Sequence, residues 1–390
     1  MATSFKTFLN NDMVTSKTLL HEAIPLTGGL ISGTYADTNI KNYSHTYFQS
    51  VYDYPYLSSS ANHIFDISVG LSTGSACSGS STVQMAKKQN MYYQMAQTLM
   101  GYGFTPAGHP EGEGRVVIRS FDKDGLITTD GNFDDVIFLN FSRLLTKDEI
   151  QKGTFSMTVL TGGTYAGATI NTGPHWLEIR DTDAQSNFFI NSPAGEYGIL
   201  KAYASGTNGH TVIGSEIAPH TPVTSPAANH AEYGMPIGFT GSCGLIFYQA
   251  GIAVLTSSIF NNFGGPALGD PADGAHGRIY DVLSGSSITG AVDNVRSRIK
   301  NISFNNTTEL NSTVYFCRAN HNEFNYSSNP TYVSSSQLVV KKLASDMPVS
   351  YITTIGLYSA DNELLAVAKL SEPIRKDPTT ELNFRVRLDY

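Results

Sequence analysis

The serine of Gly70-Leu71-Ser72-Thr73-Gly74 stands in the G-x-S-x-G pattern of a nucleophile elbow. That chemistry needs a strand to enter and a helix to begin at once, so that a strained turn exposes the hydroxyl. A strand is expected over 63–71, but Gly/Ser-type residues continue to Ser81 before any helical pattern starts. Ser72 therefore reads as part of a linker. The acidic stretch Asp122, Asp124, Asp130, Asp134 and Asp135 resembles a calcium loop, which needs Gly at its sixth position and Glu at its twelfth. Counted from Asp130, the sixth position is Asp135 and no helices flank it, so a solvated turn is the expectation. His210, His220 and His230 are ten residues apart in a Pro/Ser/Thr-rich loop, whereas zinc ligands come in tight pairs. His321-Asn322-Glu323 lacks the P-C-x-x-C partner of a deaminase. No glycine run ends in the Lys-Ser/Thr of a phosphate loop. The residues assign no catalytic group, no metal ligand and no cofactor.

The elements that would have to hold such groups are mostly strands. Charged residues make up only 15 % of the 390, well below the usual quarter, and Gly (36), Tyr (21) and Phe (20) fill the deficit. This mixture favours strands and tight turns. The expectation is a mainly β protein of antiparallel, β-sandwich-like domains with a few short helices and long loops. One longer helix is expected over about 82–100, where Met85, Tyr92, Met95, Ala96 and Leu99 recur at helical spacing. Ser81 is its expected cap and Gly101 its stop. A shorter helix is expected from Thr146, at capping-box distance from Glu149, to Gly153, and another over Val292–Asn301. Gly244–Phe260 is the most apolar stretch and reads as a buried hairpin bent at Ala250-Gly251.

Three strands are expected at the C-terminal end: 351–358, 364–370 and 382–390, with a polar loop over 371–380. In the last, Leu382, Phe384, Val386, Leu388 and Tyr390 alternate with charged and polar residues, the mark of a half-buried antiparallel strand. A patterned strand at a chain end is expected to be tied into a sheet, its own or a neighbour's. At the other end, 1–62 reads as an extended aromatic arm, 63–305 as a central β-rich domain and 306–390 as an antiparallel β domain.

The net charge of −8 argues against general nucleic-acid binding, which needs a basic footprint. No apolar run approaches a membrane span, and Met1–Leu20 lacks the apolar core of a signal peptide. Cys77, Cys243 and Cys317 form no metal spacing and no even set, so a reduced, cytosol-made chain is expected. A weakly charged, aromatic surface suits permanent contacts, since interface cores are depleted in charge. The interface candidates are Tyr43, Tyr47, Phe48, Tyr52, Tyr54, Tyr326, Tyr332, Arg385, Arg387 and Tyr390.

Five stretches carry a resemblance: Asp135–Phe155, Asn191–Tyr197, Gly244–Gly251, Glu323–Tyr332 and Ile355–Pro373. Together they resemble virion structural proteins of contractile-tailed, T4-like bacteriophages of aquatic hosts, over roughly residues 60–390. The resemblance implies a tail or baseplate component, with the neck second, assembled in the host cytoplasm. It implies other virion proteins and further copies of the chain as partners, in a ring. It carries no catalytic residue. Two rival readings are a receptor- or glycan-binding protein of the virion and, third, a cell-wall or polysaccharide hydrolase.

Overall fold

The computed structural model describes residues 5–26, 37–75, 82–105, 113–122, 132–160, 176–204, 242–260, 287–296, 299–327, 332–334, 337–338, 343 and 345–390. Of these, 51 % lie in strands, paired antiparallel in every described ladder, and three α-helices accompany them. The expected mainly β, antiparallel class is what the chain adopts. It divides into two units, Met1–Leu20 with Glu309–Tyr390, and His21–Thr308.

The strands are, in chain order, β1 (Met13–Leu26), β2 (Ile40–Asn42), β3 (Gln49–Tyr52), β4 (His63–Leu71), β5 (Tyr102–Phe104), β6 (Val116–Ile118), β7 (Asp135–Phe141), β8 (Glu149–Ile150), β9 (Ser156–Leu160), β10 (Trp176–Arg180), β11 (Phe189–Ser192), β12 (Gly195–Ala204), β13 (Ser242–Phe247), β14 (Ile252–Thr256), β15 (Ile299–Ala319), β16 (Val333–Ser334), β17 (Gln337–Leu338), β18 (Ser350–Tyr358), β19 (Leu364–Lys376) and β20 (Leu382–Asp389). The helices are α1 (Val83–Leu99), α2 (Arg143–Thr146) and α3 (Ile288–Arg296).

In the unit His21–Thr308 the sheet runs β15-β9-β10-β12-β13-β14-β7-β4-β3-β2. Its central strands are buried on both faces. Along β7, Ile137, Leu139 and Phe141 point into the layer that also holds Ile288, Ala291, Val292 and Val295 of α3. The alternate residues Val136 and Phe138 point into the layer of Tyr92, Ala96 and Leu99 of α1. Burial on both faces is why β13 and β14 are continuously apolar rather than alternating. They form the expected hairpin, with Gly251 at φ +67° in its turn.

Helix α1 lies where the periodicity predicts it. Its buried positions include Met85, Tyr92, Ala96 and Leu99, so the stripe packs on its own sheet. The capping residue is Thr82, whose hydroxyl accepts the Met85 amide at 3.2 Å, rather than Ser81, which lies outside the described residues. Gly101 ends the helix at φ +74°, its amide on the Ala96 carbonyl at 3.0 Å.

Several boundaries differ from the sequence reading. The helix expected from Thr146 is α2, one turn upstream. Lys147 leaves it with φ +55°, and Glu149 and Ile150 turn back as β8 beside Asn306 and Thr307. The helix expected over 292–301 is α3, which ends before β15 begins at Ile299. The loop expected over 371–380 is shorter, because β19 continues through Pro373 to Lys376. Residues 13–52, expected as part of an extended arm, contain β1, β2 and β3 instead. Burial of Ile40 and Val51 holds β2 and β3 beside β4.

In the other unit, β20 pairs with β15 from Ser312↔Asp389 to Ala319↔Leu382. The Tyr390 and Asn311 backbones exchange bonds of 2.8 and 3.0 Å. The closing strand thus completes a sheet of its own chain, with Leu382, Phe384, Val386 and Leu388 on the more sheltered face. β18 and β19 form a separate two-stranded sheet, closed by a turn in which Asn362 takes φ +63°.

Candidate functional site

The unit Met1–Leu20 with Glu309–Tyr390 has strands but almost no apolar interior. Among its described residues only four hydrophobic side chains are buried: Ala319, Tyr332, Leu357 and Val386. Its large apolar side chains are instead widely exposed, including Leu9 (61 %), Leu365 (68 %) and Tyr390 (71 %).

Polar pairing does what the missing core does not. Asp12 takes the Leu9 amide at 2.9 Å and the Arg318 guanidinium at 2.6 Å, which together hold its carboxyl below the usual range. Lys17 pairs with Glu309, and Lys6 with Glu323. Asp389 is held low by the Ser312 hydroxyl and by Arg387, whose Nε lies 2.7 Å away. At the base of the hairpin, buried Lys376 donates to the Asn325 side chain (2.7 Å), the Asp377 carbonyl (2.9 Å) and the His321 carbonyl (3.3 Å). Asp377 accepts the Thr379 and Thr380 hydroxyls at 2.6 and 2.7 Å, and its pKa falls to about 2.

The β18–β19 hairpin is the largest exposed element of this unit. On one face Leu357 is buried and Ile355, Ala366, Ala368 and Leu370 are half-covered. On the other, Tyr358 (45 %), Leu364 (53 %) and Val367 (50 %) stand open, with Phe5 edge-on to Tyr358 at 4.9 Å. A hairpin of two strands alone is at best marginally stable in water.

The interface candidates fall into three groups. Tyr326, Arg385, Arg387 and Tyr390 are exposed, although Tyr390 is tied through its hydroxyl to Thr313 at 3.1 Å and Arg387 reaches Ser312 at 3.0 Å. Tyr332 is buried, standing perpendicular to Tyr326 at 5.8 Å, and burial pushes its phenol up, so it is a core ring and not a surface one. Tyr43, Tyr47 and Phe48, all half-buried, surround exposed His45 in the β2–β3 connection. The Tyr43 and His45 rings stack at 5.1 Å, Phe48 lies 4.9 Å from Tyr43, and Lys41 caps the Tyr43 face at 4.9 Å. Tyr52 is half-buried against Tyr56 and His63, and Tyr54 is 57 % exposed. Most of these rings therefore pack on one another.

The residues singled out for chemistry are placed as follows. Ser72 follows β4, is buried, and gives its hydroxyl to the Asp134 carboxylate, while its amide donates to the Asp134 carbonyl at 2.7 Å. Ser75 binds Asp135 in the same way, and burial raises the Asp135 pKa. These contacts staple the end of β4 to the start of β7. Asp122 is buried beside Asn132, and residues 123–131 of the acidic stretch lie outside the described residues. His210, His220 and His230 also lie outside them. His321 contacts Glu381 at 3.2 Å, whereas Glu323 binds Lys6 and the Asn320 amide, so the two do not converge. Among the described residues no group of three His, Cys, Asp or Glu side chains could hold a metal ion. No described helix is long and apolar enough to cross a membrane.

The exposed hairpin was legible in the sequence only as strands. What the sequence did not signal is how many large apolar side chains are exposed among the described residues of this unit. Comparison with protein-family models, characterised proteins and solved structures finds no match to this chain.

Proposed function

We propose that the chain is a non-enzymatic structural subunit of a bacteriophage virion, built into the tail, with the baseplate first and the neck second. The observation that supports this best is the unit that carries strands, only four buried hydrophobics among its described residues and many exposed apolar side chains. A surface of this kind is what a permanently tiled subunit presents before its neighbours cover it. The five stretches that resemble phage virion proteins supply the biological setting, and two of them, Glu323–Tyr332 and Ile355–Pro373, fall in this unit. Its partners are other virion structural proteins and further copies of the chain in a symmetric ring. Its work is to hold geometry and pass force between neighbours.

The test is an electron-microscopy map of the intact particle. The expected outcome is density for the chain in the tail, with the exposed faces of β18–β19 covered by neighbours. Absence of the chain from purified particles would sink the proposal.

A second reading, a receptor- or glycan-binding protein, draws on the exposed rings of Tyr54 and Tyr56 and on Leu57, 85 % exposed. Aromatic faces of this kind stack on sugars, but Tyr56 lies against Tyr52, which leaves little open ring area. Useful affinity of the isolated protein for host envelope or glycans would favour it over the structural role.

A further inference from the structure

The two edges of the β18–β19 hairpin differ in chemistry. Along β19 stand Lys369, Glu372, Pro373 and Arg375, all exposed, the charges and proline with which proteins blunt an exposed strand edge. Pro373 cannot donate a ladder hydrogen bond at all. Along β18, Ser350-Tyr351-Ile352-Thr353-Thr354-Ile355-Gly356-Leu357-Tyr358, there is no charge and no proline. Its residues are mostly β-branched or aromatic, the types that favour a strand. Among the described residues β18 pairs with β19 alone, and from Tyr351 to Gly356 its side chains are exposed or half-covered. One edge of this hairpin is guarded and the other is left to receive a strand.

We propose that the outer edge of β18 pairs antiparallel with β18 of a second copy, joining two hairpins into one four-stranded sheet about a two-fold axis. A two-fold contact must be self-complementary, with each residue meeting its mirror position. β18 satisfies this across its length. With Thr354 on the axis, Thr353 meets Ile355, Ile352 meets Gly356 and Tyr351 meets Leu357. Every opposing pair lies on one face of the sheet, and none sets like charges against each other. Three or more strands are also what a hairpin needs for independent stability. The exposed Val367, Leu364 and Tyr358 lie on the face that carries Thr354 and Lys369 and would stand beside their copies across the pair. The inference stands on the hairpin itself and holds whether or not the chain is a virion subunit.

Thr354 gives the test, because it lies opposite Lys369 within its own hairpin and opposite itself across the proposed axis. Thr354→Glu sets a carboxylate beside Lys369, which keeps the hairpin, yet opposes two carboxylates between copies. Self-association of the full chain, followed by sedimentation, is expected to weaken up to about fivefold in Thr354→Glu and in Thr354→Lys combined with Lys369→Glu, which keeps an opposite-charge pair inside the hairpin, each variant taken alone. An equimolar mixture of the two variants is expected to recover mixed dimers, a rescue that misfolding of either variant would not produce. Wild-type protein that stays monomeric up to high concentration overturns the inference. So does self-association that neither variant alters, or variants whose mixture shows no recovery.

Discussion

Asp181 shows how a single side chain organises this molecule. It is fully buried, and its carboxylate accepts the Gly153 amide at 2.7 Å, the Phe155 amide at 2.9 Å and the Tyr248 hydroxyl at 3.1 Å. Burial pushes its pKa up, and these three donors work against that rise. Burial likewise drives the Tyr248 phenol up, and the neighbouring Asp181 carboxylate adds to the shift. The residue thus pins the turn before β9 to the β13–β14 hairpin, with no chemistry implied. Removing the carboxylate leaves three donors without an acceptor, the two buried ones at about 1–3 kcal/mol each where no water replaces it. Asp181→Ala is expected to destabilise the fold by about 3 kcal/mol or more, read as a lowered urea midpoint at unchanged slope. A change within a few tenths of a kcal/mol would mean that these contacts do not hold the turn. The sequence offers no sign of Asp181, because its partners come from residues 26 to 67 positions away.

At the scale of elements, close approach decides which helix covers which strand. A Cβ on Gly70 would lie 2.8 Å from the Phe138 ring and 3.0 Å from the Tyr92 backbone, so β4 and α1 touch there because Gly70 has no side chain. Gly70→Ala is expected to cost about 1–3 kcal/mol by forcing α1 off the sheet, seen as a drop in thermal midpoint. An unchanged midpoint would show that the helix yields freely. The same glycine opens the G-x-S-x-G pattern, so its sequence signature belongs to packing. The long strand β15 makes the complementary point. Its first part, 299–312, is rich in Asn, Thr and Ser and shows no clean alternation, so periodicity alone does not mark it as a strand. Tertiary contacts account for that composition. Asn306 is buried and donates to the Leu145 carbonyl at 2.8 Å while accepting the Glu22 amide at 3.2 Å, and Thr307 meets His21 at 3.1 Å. Side-chain amides and hydroxyls there do the work that apolar residues do in β7.

For the whole molecule, the expected consequence of the apolar surface is dependence on assembly. Removing Glu381–Tyr390 deletes β20 and leaves the Ser312–Ala319 edge of β15 without its partner. On the proposed role as a virion subunit, the truncated chain is expected to fail to enter particles, measured as its loss from purified virions when it replaces the full-length protein. Normal incorporation would show that β20 is dispensable for docking. The sequence by itself determined the β class, the helix α1, the β13–β14 hairpin and the alternation of β20. These rest on local signals: turn residues, a 3.6-residue stripe and a two-residue period. Only the tertiary structure decided that the aromatic N-terminal segment joins a sheet, that Tyr332 is a core ring and that Ser72 is held by Asp134. It also decided that β18–β19 exposes apolar residues and, among the described residues, forms a sheet of two strands only, since exposure depends on which distant residues come to cover a strand. Periodicity says which residues share a face. Whether that face is covered is a property of the folded chain and its neighbours.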